Sequence, residues 1–309
     1  MYEISEETGN VIRTVSIANS TNRDWEDIDL DDKYIYIGDF GNNNGTRRDL
    51  KIYKVAIADY LDSNGSVNAE SIEFSYEDQT DFGSAPMATN FDAEGLIAYG
   101  DFLYVFTKNW IDNRTHVYKL PKTPGTHTAL RIDDIDSGGL VTGATYNSLS
   151  DRIVLVGYDG FSPFMLEISG FIEDEFSNGT LTRSDLKVPS GASFQVESIA
   201  FADPTRHLLT SESNFLGYGA LMDLVLSTLS TKELDLEESI LYPNPARDNL
   251  WIDVQPGVHR IEIYDYSGKL ILEKKVEFDS ISLGELPEGH YLIRLYNDSG
   301  VMVRKLIRE

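Results

Sequence analysis

Apolar and polar residues alternate with a period of two through most of the first 230 residues, in short runs that come in pairs around a turn. Four segments share one pattern: DWEDIDLDDKYIYIGDFGN (24–42), DAEGLIAYGDFLYVFTKN (92–109), VTGATYNSLSDRIVLVGYDG (141–160) and VESIAFADPTRHLLTSESN (196–214). Each predicts a strand, a turn rich in Asp, Asn, Gly or Pro, and a second strand ending in Asp or Asn. Three of them are followed by a further pair of strand-like runs: LKIYKV with SIEFSY, THVYKL with ALRIDDI, and FMLEIS with LTRSDLKV. Four strands per unit, recurring every roughly 45 to 70 residues, is the rhythm of a β-propeller blade. The expected fold is all-β, a propeller of five or six blades. Amphipathic helices that a parallel α/β fold needs are missing; only residues 219–229 (GALMDLVLSTL) read as a helix or equally as an outer strand. Residues 1–17 read as the outer half of a blade that either closes the ring or is incomplete at the N-terminus.

After an acidic, polar stretch at 230–239 (STKELDLEES), expected to be an extended linker, the rhythm changes. Tyr242, Pro243, Asn244 and Pro245 predict a rigid turn, because each proline fixes its own φ and restricts the residue before it. A strand follows at 249–254. The run DYSGK (265–269) predicts a tight hairpin with Gly268 at positive φ, and the turn at 287–289, ending in Gly289, launches a strand that contains Tyr291. In order, spacing and turn chemistry, YPNPA, D-x-L-x-I, IYD-x-x-G, L-x-x-L-x-x-G-x-Y and the basic close at 303–307 resemble the C-terminal sorting domain of type IX secretion substrates from the Bacteroidetes. The resemblance implies a small immunoglobulin-like β-sandwich over 240–309. It also implies the type IX secretion machinery as a partner and a secreted or outer-membrane surface location. The expected division is thus a propeller cargo domain at 1–229, a linker at 230–239 and a sorting domain at 240–309.

Charge narrows the partners of the first part. The chain of 309 residues has a formal net charge of −25, and 240–309 hold 11 acidic and 9 basic side chains, so almost all the negative excess lies before residue 240. Such a field repels nucleic-acid phosphates and anionic lipids and favours cations or basic partners. There is no cysteine, which excludes disulfides and thiolate metal sites. No apolar run reaches the eighteen or so residues of a membrane span. Met1 leads into YEISEETGNVIRTVSI, which has neither a basic n-region nor an apolar core, so a signal peptide is expected upstream of this sequence.

Aligning the repeats places Glu26, Glu94, Thr142 and Glu197 at equivalent points on the innermost strands, and Asp39, Asn109, Asp159 and Asn214 just past the neighbouring ones. Propellers present such positions at the mouth of the central channel. Three readings stand side by side: carboxylates that accept backbone hydrogen bonds between blades, oxygen ligands for a hard cation, or catalytic acids. Calcium, with six to eight oxygen ligands at about 2.3 to 2.6 Å, is the cation this set would suit, with Glu26, Asn109 and Asp159 as the candidate ligands. Trp25, Trp110, Phe161 and Tyr218 fall beside these points, either on the channel rim, where rings stack on a glycan, small molecule or peptide, or between blades. The candidate ligand-binding residues are therefore Glu26, Glu94, Glu197, Trp25 and Trp110.

Residues 26–55 also resemble, over one blade and a general rhythm, six-bladed propeller proteins that include gluconolactonase-like and esterase-like members. That resemblance implies a divalent cation polarising an ester or lactone carbonyl. Thr142 in place of a carboxylate departs from a complete ligand set. No H-x-x-x-H, H-E-x-x-H or G-x-S-x-G motif occurs, and GDFGNNNG (38–45) lacks the lysine and helix of a phosphate loop, so it reads as a surface turn. Arg47 is expected to pair with Asp49 at the surface. The leading expectation is an exported binding or scaffold propeller without catalysis; the alternative is a calcium-dependent lactonase, esterase or phosphoesterase.

Overall fold

The computed structural model describes residues 1–6, 8–189, 192–203, 205–213, 218–225, 240–253, 259–265, 269–275, 280–284, 286–297 and 300–309. The chain divides into two compact units, Met1–Val225 and Leu226–Glu309. The first opens with a hairpin of β1 (Tyr2–Ile4) and β2 (Val11–Thr14), then β3 (Ser16–Ile17). A first blade follows: β4 (Trp25–Leu30), β5 (Tyr34–Asp39), β6 (Leu50–Ala56), a short helix α1 (Ile57–Asp62), β7 (Ser66–Val67) and β8 (Glu70–Tyr76). Its sheet order is β4-β5-β6-β8. The second blade is β9 (Ala93–Tyr99), β10 (Phe102–Thr107), β11 (Thr115–Pro121) and β12 (Gly125–Ile135), and its outer strand β12 pairs in parallel with β8 of the first. β13 (Leu140–Asn147), β14 (Arg152–Asp159), β15 (Ser162–Ser169) and β16 (Thr180–Asp185) form the third blade. β17 (Val196–Phe201), β18 (Arg206–Ser211) and β19 (Ala220–Val225) belong to the fourth.

Each blade is an antiparallel meander whose first strand is innermost, and β4, β9, β13 and β17 lie next to one another in that order. This is the propeller-like layout expected from the repeats, with four blades among the described residues where five or six are expected. Residues 220–225 are the outer strand, not a helix, and the remainder of 219–229 beyond Val225 lies outside the described residues, as does the expected linker. The helix that does form, α1, is a single short element that the periodicity misses. Of the N-terminal residues, β1 and β2 pair as an antiparallel hairpin from whose turn Glu6 pairs with Arg206 of the fourth blade at 3.0 Å, while β3 pairs in parallel with β7, and Val15 and Ile17 cover Ile35, Ile37, Tyr53 and Val55 on the first blade.

Packing follows the blades. Tyr36, Leu50, Ile52 and Phe74 of the first blade meet Leu96, Leu103, Val105 and Tyr118 of the second in one core. The opposite face of the second blade, with Ile97, Tyr104, Phe106 and Val117, meets Ile153, Leu155, Phe164 and Leu166 of the third in another. Both faces of a middle blade are thus buried, which is why its strands read as nearly continuous apolar runs.

The second unit has two sheets over one core. β20 (Ile240–Tyr242), β21 (Asn249–Asp253) and β24 (Ser280–Ser282) form one; β22 (Arg260–Tyr264), β23 (Leu270–Lys275), β25 (Gly289–Asn297) and β26 (Gly300–Arg308) form the other, in the order β23-β22-β25-β26. Leu250 and Ile281 from the first sheet pack with Ile261, Ile263, Ile293 and Leu306 from the second. The expected turns at 242–245 and 287–289 fall where the sequence places them. Asn244 uses its side chain as a strand would use its backbone, donating to Lys305 O at 2.7 Å and accepting from Ile307 N at 2.8 Å. The peptide bonds before Pro243 and Pro245 are cis. Tyr291 donates to Pro287 O at 2.8 Å, which closes the turn before β25. Gly268 lies outside the described residues.

The innermost strands are held together by carboxylates on β4, Asp27 buried and Asp29 half-buried. Asp27 is 5% exposed; its Oδ2 accepts Leu96 N of β9 at 2.8 Å and Ala144 N of β13 at 3.3 Å, and its Oδ1 accepts Ile28 N at 2.9 Å. Asp29 accepts Ala98 N at 2.7 Å. One side chain therefore ties three blades at the axis. Asp27→Asn keeps the shape, but whichever way the amide turns its NH2 faces at least one backbone N–H. It is expected to cost about 2 to 4 kcal/mol in a denaturant melt, whereas Asp32→Asn on the exposed β4–β5 turn stays within about 0.5 kcal/mol.

Candidate functional site at the mouth of the blades

Every innermost strand carries one irregularity, at its first turn. In the second blade Phe106 pairs with Gly95 and Thr107 with Ala93, so Glu94 has no partner of its own. In the third, Thr142 is skipped between Val141 and Gly143; in the fourth, Glu197 between Val196 and Ser198. In the first blade Glu26 and Asp27 are both passed over between Trp25 and Ile28. The four positions aligned from the sequence are thus β-bulges, the device that re-aims a side chain out of the alternating pattern. They gather three carboxylates and a threonine at one end of the blades.

At their centre lies a residue the repeats do not single out. Lys108, just past β10, donates to Glu94 Oε1 at 3.1 Å, and both side chains are buried. Its ammonium sits 4.9 Å from the Trp110 ring centre and 5.4 Å from that of Tyr158. Burial alone would lower its pKa, but Glu94, with Tyr158 and Glu197 nearby, holds the ammonium charged and its pKa above the usual lysine value. Asp92 lies alongside, accepting Asn42 N at 2.6 Å and Trp110 Nε1 at 2.8 Å. Glu26 and Asp24 press together on Gly41, where an added Cβ would meet their oxygens at 2.1 and 2.6 Å. Several carboxylates thus share one cation. Burial, then Asp24 and Asp92, push Glu26 up to about 8 against the pull of Lys108. Burial pushes Glu197 up to about 7.

Of the expected residues, Glu26, Glu94 and Glu197 act on one another electrostatically, and Trp110 joins them through Lys108 and Asp92. Trp25 faces away: its ring packs on Tyr53 at 6.0 Å and its Nε1 donates to Thr21 O at 3.2 Å. Thr142 donates to Val196 O of the next inner strand. The role of bridging inner strands through a carboxylate belongs to Asp27 and Asp29, one and three residues beyond the aligned Glu26. Of the residues expected to hold calcium with Glu26, Asn109 has its Oδ1 accepting Thr107 Oγ1 at 2.7 Å and Asp159 is exposed at the end of β14; among the described residues no group of three or more acidic or imidazole side chains is placed to hold a metal. Asn214 lies outside the described residues. Arg47 is not on the surface. It is 5% exposed, pairs with Asp39 at 3.0 Å as well as Asp49 at 3.2 Å, and donates to Gly41 O at 2.9 Å, fixing the loop that borders Glu26.

The raised carboxyls give a pH dependence of defined sign. A folded pKa of about 8 for Glu26 and about 7 for Glu197, against 4.5 for a free glutamate, means the native state binds these protons more tightly than the unfolded chain. Their contribution is complete below pH 4.5 and is lost as pH rises to about 8. The melting temperature is expected to fall between pH 6 and pH 9, and Glu26→Gln should flatten that fall; an unchanged slope in the variant would disprove the assignment. Gly41→Ala, which forces the two carboxylates apart, is expected to destabilise by about 1 to 3 kcal/mol in the same melts.

No curated protein matches the chain. Among solved structures, PorZ of Porphyromonas gingivalis, described as an essential bacterial surface component of the type-IX secretion system, is similar with 12% identity and a TM-score of 0.37; the match covers 99% of this chain and 41% of that one. The chain therefore spans about two fifths of the length of the PorZ structure. A putative 6-phosphogluconolactonase from Bacteroides uniformis matches with 10% identity and a TM-score of 0.32, covering 100% of this chain and 92% of that one. The WD40 domain of Toxoplasma gondii coronin matches with 11% identity and a TM-score of 0.31, covering 96% and 85%. Residues 240–309 match the family described as the secretion system C-terminal sorting domain, the family that the YPNPA turn and the strands after it resemble.

Proposed function

We propose that this chain is a surface or secreted protein exported by the type IX system, with the first unit as a binding module and residues 240–309 as the export signal. The match of 240–309 to the sorting-domain family supports the export half of this reading. We read its two sheets as the immunoglobulin-like sandwich of that family. Among the described residues no helix is long and apolar enough to cross a membrane.

The binding half rests on one observation: inner-strand bulges bring Glu26, Glu94, Thr142 and Glu197 to one end, and the three glutamates there surround Lys108. Charge buried at the end of a repeated scaffold costs stability, and such expense is characteristic of a site rather than of a core. The same geometry does not favour hydrolysis. Among the described residues, the cation that faces the glutamates is a lysine already paired to Glu94, and no nucleophile with its base is assembled beside it. A binding module without catalysis accounts for the arrangement with fewer parts.

Removing 241–309 tests export. The truncated chain is expected to accumulate in the periplasm while the full chain reaches the surface or medium, as followed by fractionation and immunoblot. Full-level release of the truncated form would end the export reading.

A further inference from the structure

The mouth end carries a second feature that the carboxylates do not explain. Large apolar side chains stand exposed on its loops, one after another around the blades. Met87, 63% exposed, lies in the segment joining β8 to β9; Ile111, 67%, between β10 and β11; Phe161, 71%, in the turn between β14 and β15; and Tyr218, 54%, just before β19. All four loops are at the end where the inner strands begin, because Trp25 pairs with Asp39, Phe106 with Gly95, Leu140 with Tyr158 and Val196 with Ser211. Met87 holds φ at 52°, a left-handed backbone uncommon for a side-chain-bearing residue, and is fixed there by donating its N–H to Asn43 O at 2.9 Å. Phe161 sits edge-on to Phe194 at 5.1 Å, Phe194 edge-on to Tyr158 at 5.6 Å, and Tyr158 flanks Lys108. An aromatic path therefore runs from the rim to the charged centre.

We propose that this end is an interaction surface for a polypeptide segment that presents a lysine or arginine flanked by apolar residues. The proposal rests on the reading of the mouth as a binding site and names its partner class. Charge complementarity selects the basic residue. Inside the rim, Glu26, Glu94, Glu197, Asp24 and Asp92 have one ammonium among them, and the protons that Glu26 and Glu197 hold near neutral pH are the ones an entering cation displaces. Exposed Asp112 and Asp159 stand beside Ile111 and Phe161, so the acidic field extends to the apolar contacts themselves. The apolar rim selects the flanks. A small inorganic or polyamine cation would leave Met87, Ile111, Phe161 and Tyr218 in water, whereas a peptide buries them around its charge, the layout of an interface with a few anchors inside a wider contact. Nucleic acid and anionic surfaces are repelled by the same field.

The test uses the full chain and a fluorescently labelled peptide with lysine between two leucines, followed by anisotropy at low and at high salt. Saturable binding is expected, weakened by salt. It should fall roughly tenfold in the Ile111→Ser, Phe161→Ser double variant, which changes exposed side chains only and should melt as the parent does. Glu197→Gln should lower affinity and reduce the salt dependence. Spermine binding as tightly as the peptide, indifferent to the double variant, would overturn the proposal. So would an absence of saturation up to millimolar peptide. If the same peptide with glutamate for lysine bound equally well and still lost affinity in the double variant, the partner class would be wrong while the mouth remained a binding surface.

Discussion

The first unit depends on one extra residue at the head of each inner strand. A regular strand would send these side chains alternately to the two faces of the blade, where neighbouring blades pack. The bulge diverts them along the axis, so charge collects at the end of the scaffold rather than inside it. Thr142 shows what the position does without charge: it donates to the backbone of the next inner strand and serves as a plain inter-blade contact. Where glutamate stands instead, the side chain is longer and reaches toward Lys108, and the blades must tolerate carboxylates close to one another. They do so through a single buried ammonium and through protons retained by Glu26 and Glu197 near neutral pH.

The repeat, the order of strands and the four aligned positions were legible in the sequence because they rest on local periodicity. The identities of the working groups were less so. In WEDIDL the alternation is plain, but it does not say which face is inward. Ile28 and Leu30 are 51% and 57% exposed, whereas Asp27 is buried between β9 and β13. The apolar residues would ordinarily be assigned to the core. They are displaced because Asp27 finds backbone donors about 70 and 117 residues away. Lys108 is hidden in the sequence for a similar reason. It sits in FTKN, where only Asn109 fell at an aligned position, and a lysine next to a strand end reads as solvated until its partner Glu94 is brought beside it. For Arg47 the sequence points to Asp49, two residues away, and that contact exists; the buried contacts to Asp39 and Gly41 depend on the loop's fold.

The second unit was read more completely because its signature is turn chemistry, which acts over a few residues. Even there the turn's function is long-range. Asn244 is recognisable as a turn residue, but its hydrogen bonds run to β26, 61 and 63 residues on, where they tie the opening of the unit to its final strand. The YPNPA turn is thus a clasp as well as a bend.

The two ends of the blades are built differently. At the end away from the mouth the inner hairpins close tightly: Gly100 and Asp101 alone separate β9 from β10, and Asp31 caps the β4–β5 turn by accepting Lys33 N and Tyr34 N. At the mouth the connections of the first blade are long, and residues 77–92 fold over the loop at 40–49 through Gln79, Ala85 and Met87. Long loops on a rigid scaffold are where binding surfaces arise. Glu26 and Asp27 show how closely the two tasks adjoin. They are consecutive in the chain, yet one belongs to the mouth and the other locks three blades at the axis. Only the bulge between Trp25 and Ile28 lets neighbouring carboxylates serve both ends of that division without exchanging places.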